Sequence, residues 1–250
     1  MRTFPVIVAL ACCCIFQGVA QEEPIPPKRS RMVKVGLFGG FTPGMLFPDL
    51  KPINDFLKGG KGAALKEGGV FLWGGAGAAY IMLVPNLRVG GVGMNGSIKS
   101  SSVDAAGVRR DAELGVGYGG VTIEYVIPIV ERFDFAVGTM LGAGGIDLTL
   151  RQSSGGTNTW QGEQTSFGNT PGSATINATR VLSGSFFVFI PSACVEYSML
   201  NWLALRVGVS YVGMAAPSWS VDGKYDLLGV PSGVSGRGVM VNAGLLVGTF

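Results

Sequence analysis

The sequence predicts an all-β fold, a single antiparallel up-and-down β-barrel of eight strands with a short helix in its first long loop. Three observations lead there. Only 14% of the residues are charged while 47% are hydrophobic, at a mean hydropathy of +0.40, and soluble domains use roughly 25% charge. The apolar residues alternate with small or polar ones at a period of two, the pattern of a strand with two different faces. The links between these runs are short and long by turns, as in a barrel with tight turns at one end and extended loops at the other.

The first twenty residues stand apart. Arg2 precedes an apolar run from Phe4 to Phe16, and Gly18-Val19-Ala20 supplies the small residues of a cleavage site before Gln21. This reads as a secretory signal peptide over 1–20, cleaved near Ala20. An uncleaved N-terminal anchor is the other reading, and a lipoprotein signal at Leu10-Ala11-Cys12 fits less well because Ala9 stands where a larger aliphatic residue is expected. Three of the four cysteines fall in this segment, so Cys194 alone remains and neither a disulfide nor a metal-ligand spacing survives. Residues 21–31, with Pro24, Pro26, Pro27, Lys28, Arg29 and Arg31, read as an extended periplasmic leader. The barrel then occupies 32–250.

Strands are predicted near 32–41, 68–84, 87–98, 108–127, 132–151, 178–197, 202–215 and 238–250. Representative alternations are Leu114, Val116 and Tyr118 against Glu113, Gly115 and Gly117, and Leu203, Leu205, Val207 and Val209 against Ala204, Arg206 and Gly208. The apolar set faces lipid in this reading, and the small residues fill a narrow lumen. Two runs change phase, across Gly119-Gly120 and across Gly142 to Gly145, where β-bulges are expected. The links are long at Thr42 to Glu67, short at Pro85-Asn86, moderate at Lys99 to Gly107, short at Pro128 to Glu131, long at Gln152 to Asn177, short at Ser198 to Asn201 and long at Ala216 to Arg237. An even strand count puts both termini at the short-turn end. In the first loop, Asp49 is placed to cap a helix with Pro52 in its first turn, Ile53, Phe56 and Leu57 on one face, and Gly59 at its end. One competing reading is a transmembrane helix over Gly68 to Leu87, the length that spans a bilayer. Its Gly74-Gly75-Ala76-Gly77-Ala78-Ala79 core and the absence of a second such segment weigh against it.

Lys34, Arg88, Glu124, Asp134, Glu196 and Arg206 fall near the short-turn ends of different strands, three of each sign. Arg or Lys facing lipid near the midplane costs roughly 2–4 kcal/mol, so these residues point inward or lie at the interface. Two readings stand: a ring of ion pairs filling the lower lumen, or unpaired interface anchors.

With its export signal, its alternating strands and a final strand ending in Phe250, the chain resembles the small single-chain outer-membrane β-barrels of Gram-negative bacteria, the OmpA/OmpX/OmpW-type group. The resemblance implies an antiparallel transmembrane β-barrel in the bacterial outer membrane, with outer-membrane lipids and the barrel assembly machinery as partners and Phe250 as the assembly signal. The positions Gly248 and Gly244 depart from the alternating hydrophobes expected before such an aromatic. Enzymatic barrels of this kind rely on a histidine, and this chain has none. Glycine runs such as Gly36 to Gly40 lack the helix and acidic residue of a dinucleotide loop. No catalytic, cofactor, metal or nucleic-acid site is expected. The implied role is a non-enzymatic structural or surface-interaction one exerted through the outer loops. A narrow channel for small or hydrophobic solutes is the alternative, and a soluble periplasmic lipid binder a third reading.

Overall fold

The structure, a computed structural model, describes residues 36–153, 178–231 and 233–249. The expected signal peptide and leader, Lys34 and Phe250 lie outside the described residues. The elements are β1 (Leu37–Phe41), β2 (Gly44–Pro48), α1 (Lys51–Gly59), β3 (Val70–Tyr80), β4 (Leu87–Val103), β5 (Arg109–Val130), β6 (Phe133–Ser153), β7 (Ala178–Leu200), β8 (Leu203–Val221), β9 (Tyr225–Asp226) and β10 (Gly238–Gly248). Each long strand pairs antiparallel with the next, β10 pairs with β8, and β1 and β2 pair with both β10 and β3. The sheet therefore closes on itself as an eight-stranded up-and-down barrel, with no free edge in the ring.

β1 and β2 are one barrel strand. Pro43 has no N–H to give, which splits the ladder locally, but the register continues on both sides of it. The Thr42 N–H donates to the Gly74 carbonyl at 3.0 Å, and the Ala243 N–H donates to the Pro43 carbonyl at 3.0 Å. The first strand thus runs on to Pro48, where the alternation stops it at 41. At the same, long-loop end of the barrel the expected limits of two other strands are also too short: β4 reaches Val103 and β8 reaches Val221, which pairs with β9. Water explains the miss. At the mouth both faces meet it, and in β4 the inward Ser100 and Ser102 are as polar as the outward Lys99 and Ser101, so the contrast on which the sequence pattern depends is lost.

The expected bulges at Gly119-Gly120 and Gly142 to Gly145 are absent. Pairing runs without a break through Gly119↔Ala143 and Gly120↔Gly142, and the register shifts lie at Pro128/Val130, Ser185/Phe187 and Ser198/Leu200. What changes across the glycines is the environment of each face. On β5, Ala112, Leu114, Val116 and Tyr118 are buried inside, while Val121, Ile123, Tyr125 and Ile127 are exposed outside. On β6, Ile146 and Leu148 point inward and Val137 and Leu141 outward. Leu114, Val116 and Tyr118 are therefore core residues, not lipid-facing ones. One half of the barrel is apolar outside and polar within. The other half, toward the long loops, is apolar within and carries Lys99, Glu113, Asp147 and Arg151 on its outer face, as a soluble barrel would.

The strand lengths fit this division. At about 3.3 Å per residue and a tilt of about 40°, the 22 residues of β5 rise about 55 Å, roughly twice the ~25 Å apolar band of a transmembrane barrel. Among the outward glycines, a methyl group at Gly93 meets nothing within 4 Å, whereas at the inward Gly142 it meets the Gly119 carbonyl and the Gly120 Cα. Gly142→Ala is expected to cost about 1–3 kcal/mol through overpacking, and Gly93→Ala to stay within about 0.5 kcal/mol. Urea unfolding of the two variants in detergent checks the contrast.

Helix α1 closes the long-loop end. Pro52 lies in its first turn as expected, but Leu50 occupies the cap position, and Asp49 instead accepts from the Lys51 backbone N–H at 3.0 Å. Ile53, Asn54 and Leu57 form the buried face, and Phe56 points out at 53% exposure. Asn54 turns the helix this way: its amide bonds both the carbonyl and the N–H of Leu65, at 3.1 and 2.8 Å. Ile53, Leu57 and Leu65 join Leu72, Leu114, Ile146 and Met214 in the main core. The mouth is corked by the chain's own first loop.

The turn joining β4 to β5 is held by one carboxylate. Asp104 pairs with Arg110 at 2.7 Å and accepts from the N–H groups of Ala106 and Val108. The Arg110 guanidinium first, then the backbone donors, hold its carboxyl below the ordinary aspartate value. A depressed carboxylate stabilises the fold above its unfolded pKa of about 3.9, and the contribution is lost as pH falls through the lower folded value. Amide exchange protection at Ala106 and Val108 is expected to hold from neutral pH down past the ordinary aspartate value of about 3.9 and to be lost only as pH falls further, through the depressed value of Asp104. Asp104→Asn should remove it at every pH.

Candidate functional site

The buried charged residues gather in the half with the apolar outer belt. Arg88 on β4 and Glu124 on β5 are register partners, as are Glu196 on β7 and Arg206 on β8. Each pair is an inward-pointing cross-strand ion pair, and the two pairs meet across the lumen. The Arg88 Nε donates to Glu124 Oε2 at 2.7 Å, and its two terminal nitrogens donate to the Glu196 carboxylate at 2.8 and 2.6 Å. Arg206 donates to both oxygens of Glu124 and lies 3.5 Å from Glu196 Oε1. Both arginines thus touch both glutamates, and the four charges cancel. Arg88 is fully buried, and its guanidinium stacks 4.9 Å over the Phe38 ring. The planar fork of arginine suits this arrangement, because one side chain can engage two carboxylates in different directions.

Of the six charges singled out in the sequence, these four form one network. Asp134 is buried at the register position of Glu196 on β6, outside the Arg–Glu bonds just described. Lys34 is outside the described residues. Cys194 is buried and free, packed with Tyr80, Val126 and Ala136.

A second layer lies next to the quartet on the long-loop side, and sequence reasoning missed it. Between the two is a cavity of about 60 Å³ lined by Thr42, Thr122, Ser192, Ser210, Asn242 and Met140, among others, with Glu124 and Arg206 at one end. At roughly 15 Å³ of such space per molecule it has room for about four waters. Its other end is closed by Tyr118, whose hydroxyl lies 2.9 Å from Met240 Sδ and 3.3 Å from Met94 Sδ. These methionines come from β10 and β4, so one phenol ties three strands together across the bore. The signal was present in the sequence as a lone tyrosine at the end of an apolar run, but its face was misassigned.

A closed ring of strands with its charges inside and an apolar belt outside defines a transmembrane β-barrel. The chain is similar at a low level to several solved structures. Neisserial surface protein A is 13% identical over 86% of this chain and 97% of that one, with a TM-score of 0.39. Ail, the attachment invasion locus protein of Yersinia pestis, is 11% identical over 86% and 95%, with a TM-score of 0.35. A major outer membrane protein from Thermus thermophilus is 9% identical over 85% and 98%, with a TM-score of 0.44. No family model matches the chain, and no curated protein matches it. Among the described residues no group of metal-ligating side chains forms, and no helix is long and apolar enough to cross a membrane.

Proposed function

We propose that this chain is a non-enzymatic outer-membrane β-barrel with a structural or surface-interaction role, working through the loop end that projects beyond the bilayer. The observation that carries this reading is the filled bore. The Arg88–Glu124–Arg206–Glu196 quartet, the Tyr118–Met94–Met240 layer and the α1 cork lie in series along it. An eight-stranded barrel has little interior beyond packed side chains. The polar wall above the belt, with the Lys99–Glu113 and Arg109–Asp111 pairs, faces water and is the surface left for a partner.

The cavity beside the quartet favours a second reading, a narrow channel for small or hydrophobic solutes. Planar-bilayer recordings separate the two. The purified protein is expected to show no resolved conductance steps, and Glu196→Ala alone to remain shut, because two further layers stand in series with the quartet. Steady single-channel conductance in the unaltered protein would support the channel.

A further inference from the structure

The barrel wall carries a weak seam beside the cavity. Between β7 and β8 the paired residues run to Phe189↔Gly213 and resume at Ser192↔Ser210. The lapse contains Pro191, which has no N–H for the ladder and sits where proline is normally excluded, mid-strand in a closed sheet. On the other side of β7 the pairing continues through Thr139↔Pro191, so the loss falls on the β8 side. Outside, this part of the wall forms an open groove lined by Val137, Pro191, Ala193, Val209, Tyr211 and Val239. Ser192 and Ser210 line that groove and the lumenal cavity alike. The apolar outer groove and the hydroxyl-lined interior therefore meet at these two residues. Within that interior the hydroxyls of Ser210 and Thr42 are buried and find no hydrogen-bond partner among the described residues. A buried hydroxyl left unsatisfied costs about 1–3 kcal/mol, so both favour a guest that bonds them.

We infer that the β7–β8 seam at Pro191 is a lateral port, through which a small bilayer-dissolved molecule with one hydrogen-bonding group reaches the cavity. The guest is neutral, because the quartet's four charges are already matched. It is small, because the cavity is about 60 Å³. It comes through the wall, because Tyr118 closes the bore on one side and the quartet on the other. The inference rests on the membrane-barrel reading above.

The test places a reporter thiol at the seam in protein spanning residues 21–250, which lacks Cys12, Cys13 and Cys14, reconstituted in phosphatidylcholine vesicles. Ser210→Cys is built on Cys194→Ser, with Pro191 either kept or changed to valine, which restores the missing N–H. Pro191→Ala serves as a second version of the closed seam. The neutral reagent methyl methanethiosulfonate is expected to modify the thiol faster with Pro191 in place than with Pro191→Val or Pro191→Ala, by about tenfold, the effect of a hydrogen bond or so on an opening equilibrium. The charged sulfonatoethyl reagent should be slow in all of them. Equal rates for the neutral reagent, or no modification in any variant, would overturn the port. A charged reagent as fast as the neutral one would overturn it too, since access would then run along the bore. Failure of the parent protein to float with vesicles would overturn the membrane reading and the port together, whereas flotation with equal rates overturns the port alone.

Discussion

Arg88→Ala is expected to lower the stability of the barrel by about 3–5 kcal/mol, the usual cost of removing one partner from a buried ion pair. The cost arises from what is left behind. Glu124 keeps Arg206, but Glu196 loses its 2.8 and 2.6 Å bonds to Arg88 and, among the described residues, retains the 3.5 Å approach of Arg206. Arg88→Lys restores the charge but not the fork, so it should recover only part of the loss. Removing Arg88 and Glu196 together leaves the Arg206–Glu124 pair, whose charges still cancel. The double variant should therefore lose clearly less than the sum of the two single ones. Urea titrations in detergent micelles measure all four proteins. A loss below about 1 kcal/mol for Arg88→Ala, the range of exposed pairs, would show that the quartet is not buried as described.

The second large effect is expected at Tyr118. Truncation to alanine removes a ring that crosses the bore to Met240, and the cavity beside the quartet then merges with the space it leaves. Large aromatic truncations in packed cores cost about 3–5 kcal/mol. Tyr118→Phe keeps the volume and loses only the hydroxyl contacts with the two thioethers, so about 1 kcal/mol is expected. The ratio of the two losses, again from urea titrations, is informative. If Tyr118→Phe costs as much as Tyr118→Ala, the hydroxyl rather than the ring holds the layer.

Much of this architecture was legible because the sequence carries two independent signals of the same thing. The period-two pattern places strands, and the order of short and long links sets their count. Where the two agree, as at β5 to β8, the expected strands match to within a few residues at the short-turn end. The failures have one physical origin. Alternation records which side is apolar, and it does not record whether water or lipid lies outside. On β5 the apolar side is the inside at Leu114 and the outside at Ile123, with no slip in the backbone between them. Assuming lipid along the whole strand forces a bulge at Gly119-Gly120 that the backbone does not have. The charged quartet was accessible because a charge within an apolar strand has few tolerable positions. Its pairing followed from register, and no spacing along the chain reveals that Arg88 and Glu196, 108 residues apart, share a carboxylate–guanidinium contact. Phe56 was assigned to the buried face of α1 on its apolarity, and the burial of Asn54 through Leu65 turned it outward instead.

The central claim is that this chain crosses a membrane as a closed β-barrel. Membrane fractionation followed by electrophoresis before and after boiling tests it most directly. The protein is expected to stay with the membrane through salt and alkaline washes, and to migrate as a compact band that shifts only on boiling. Release by salt alone, or a single mobility before and after boiling, would contradict the account.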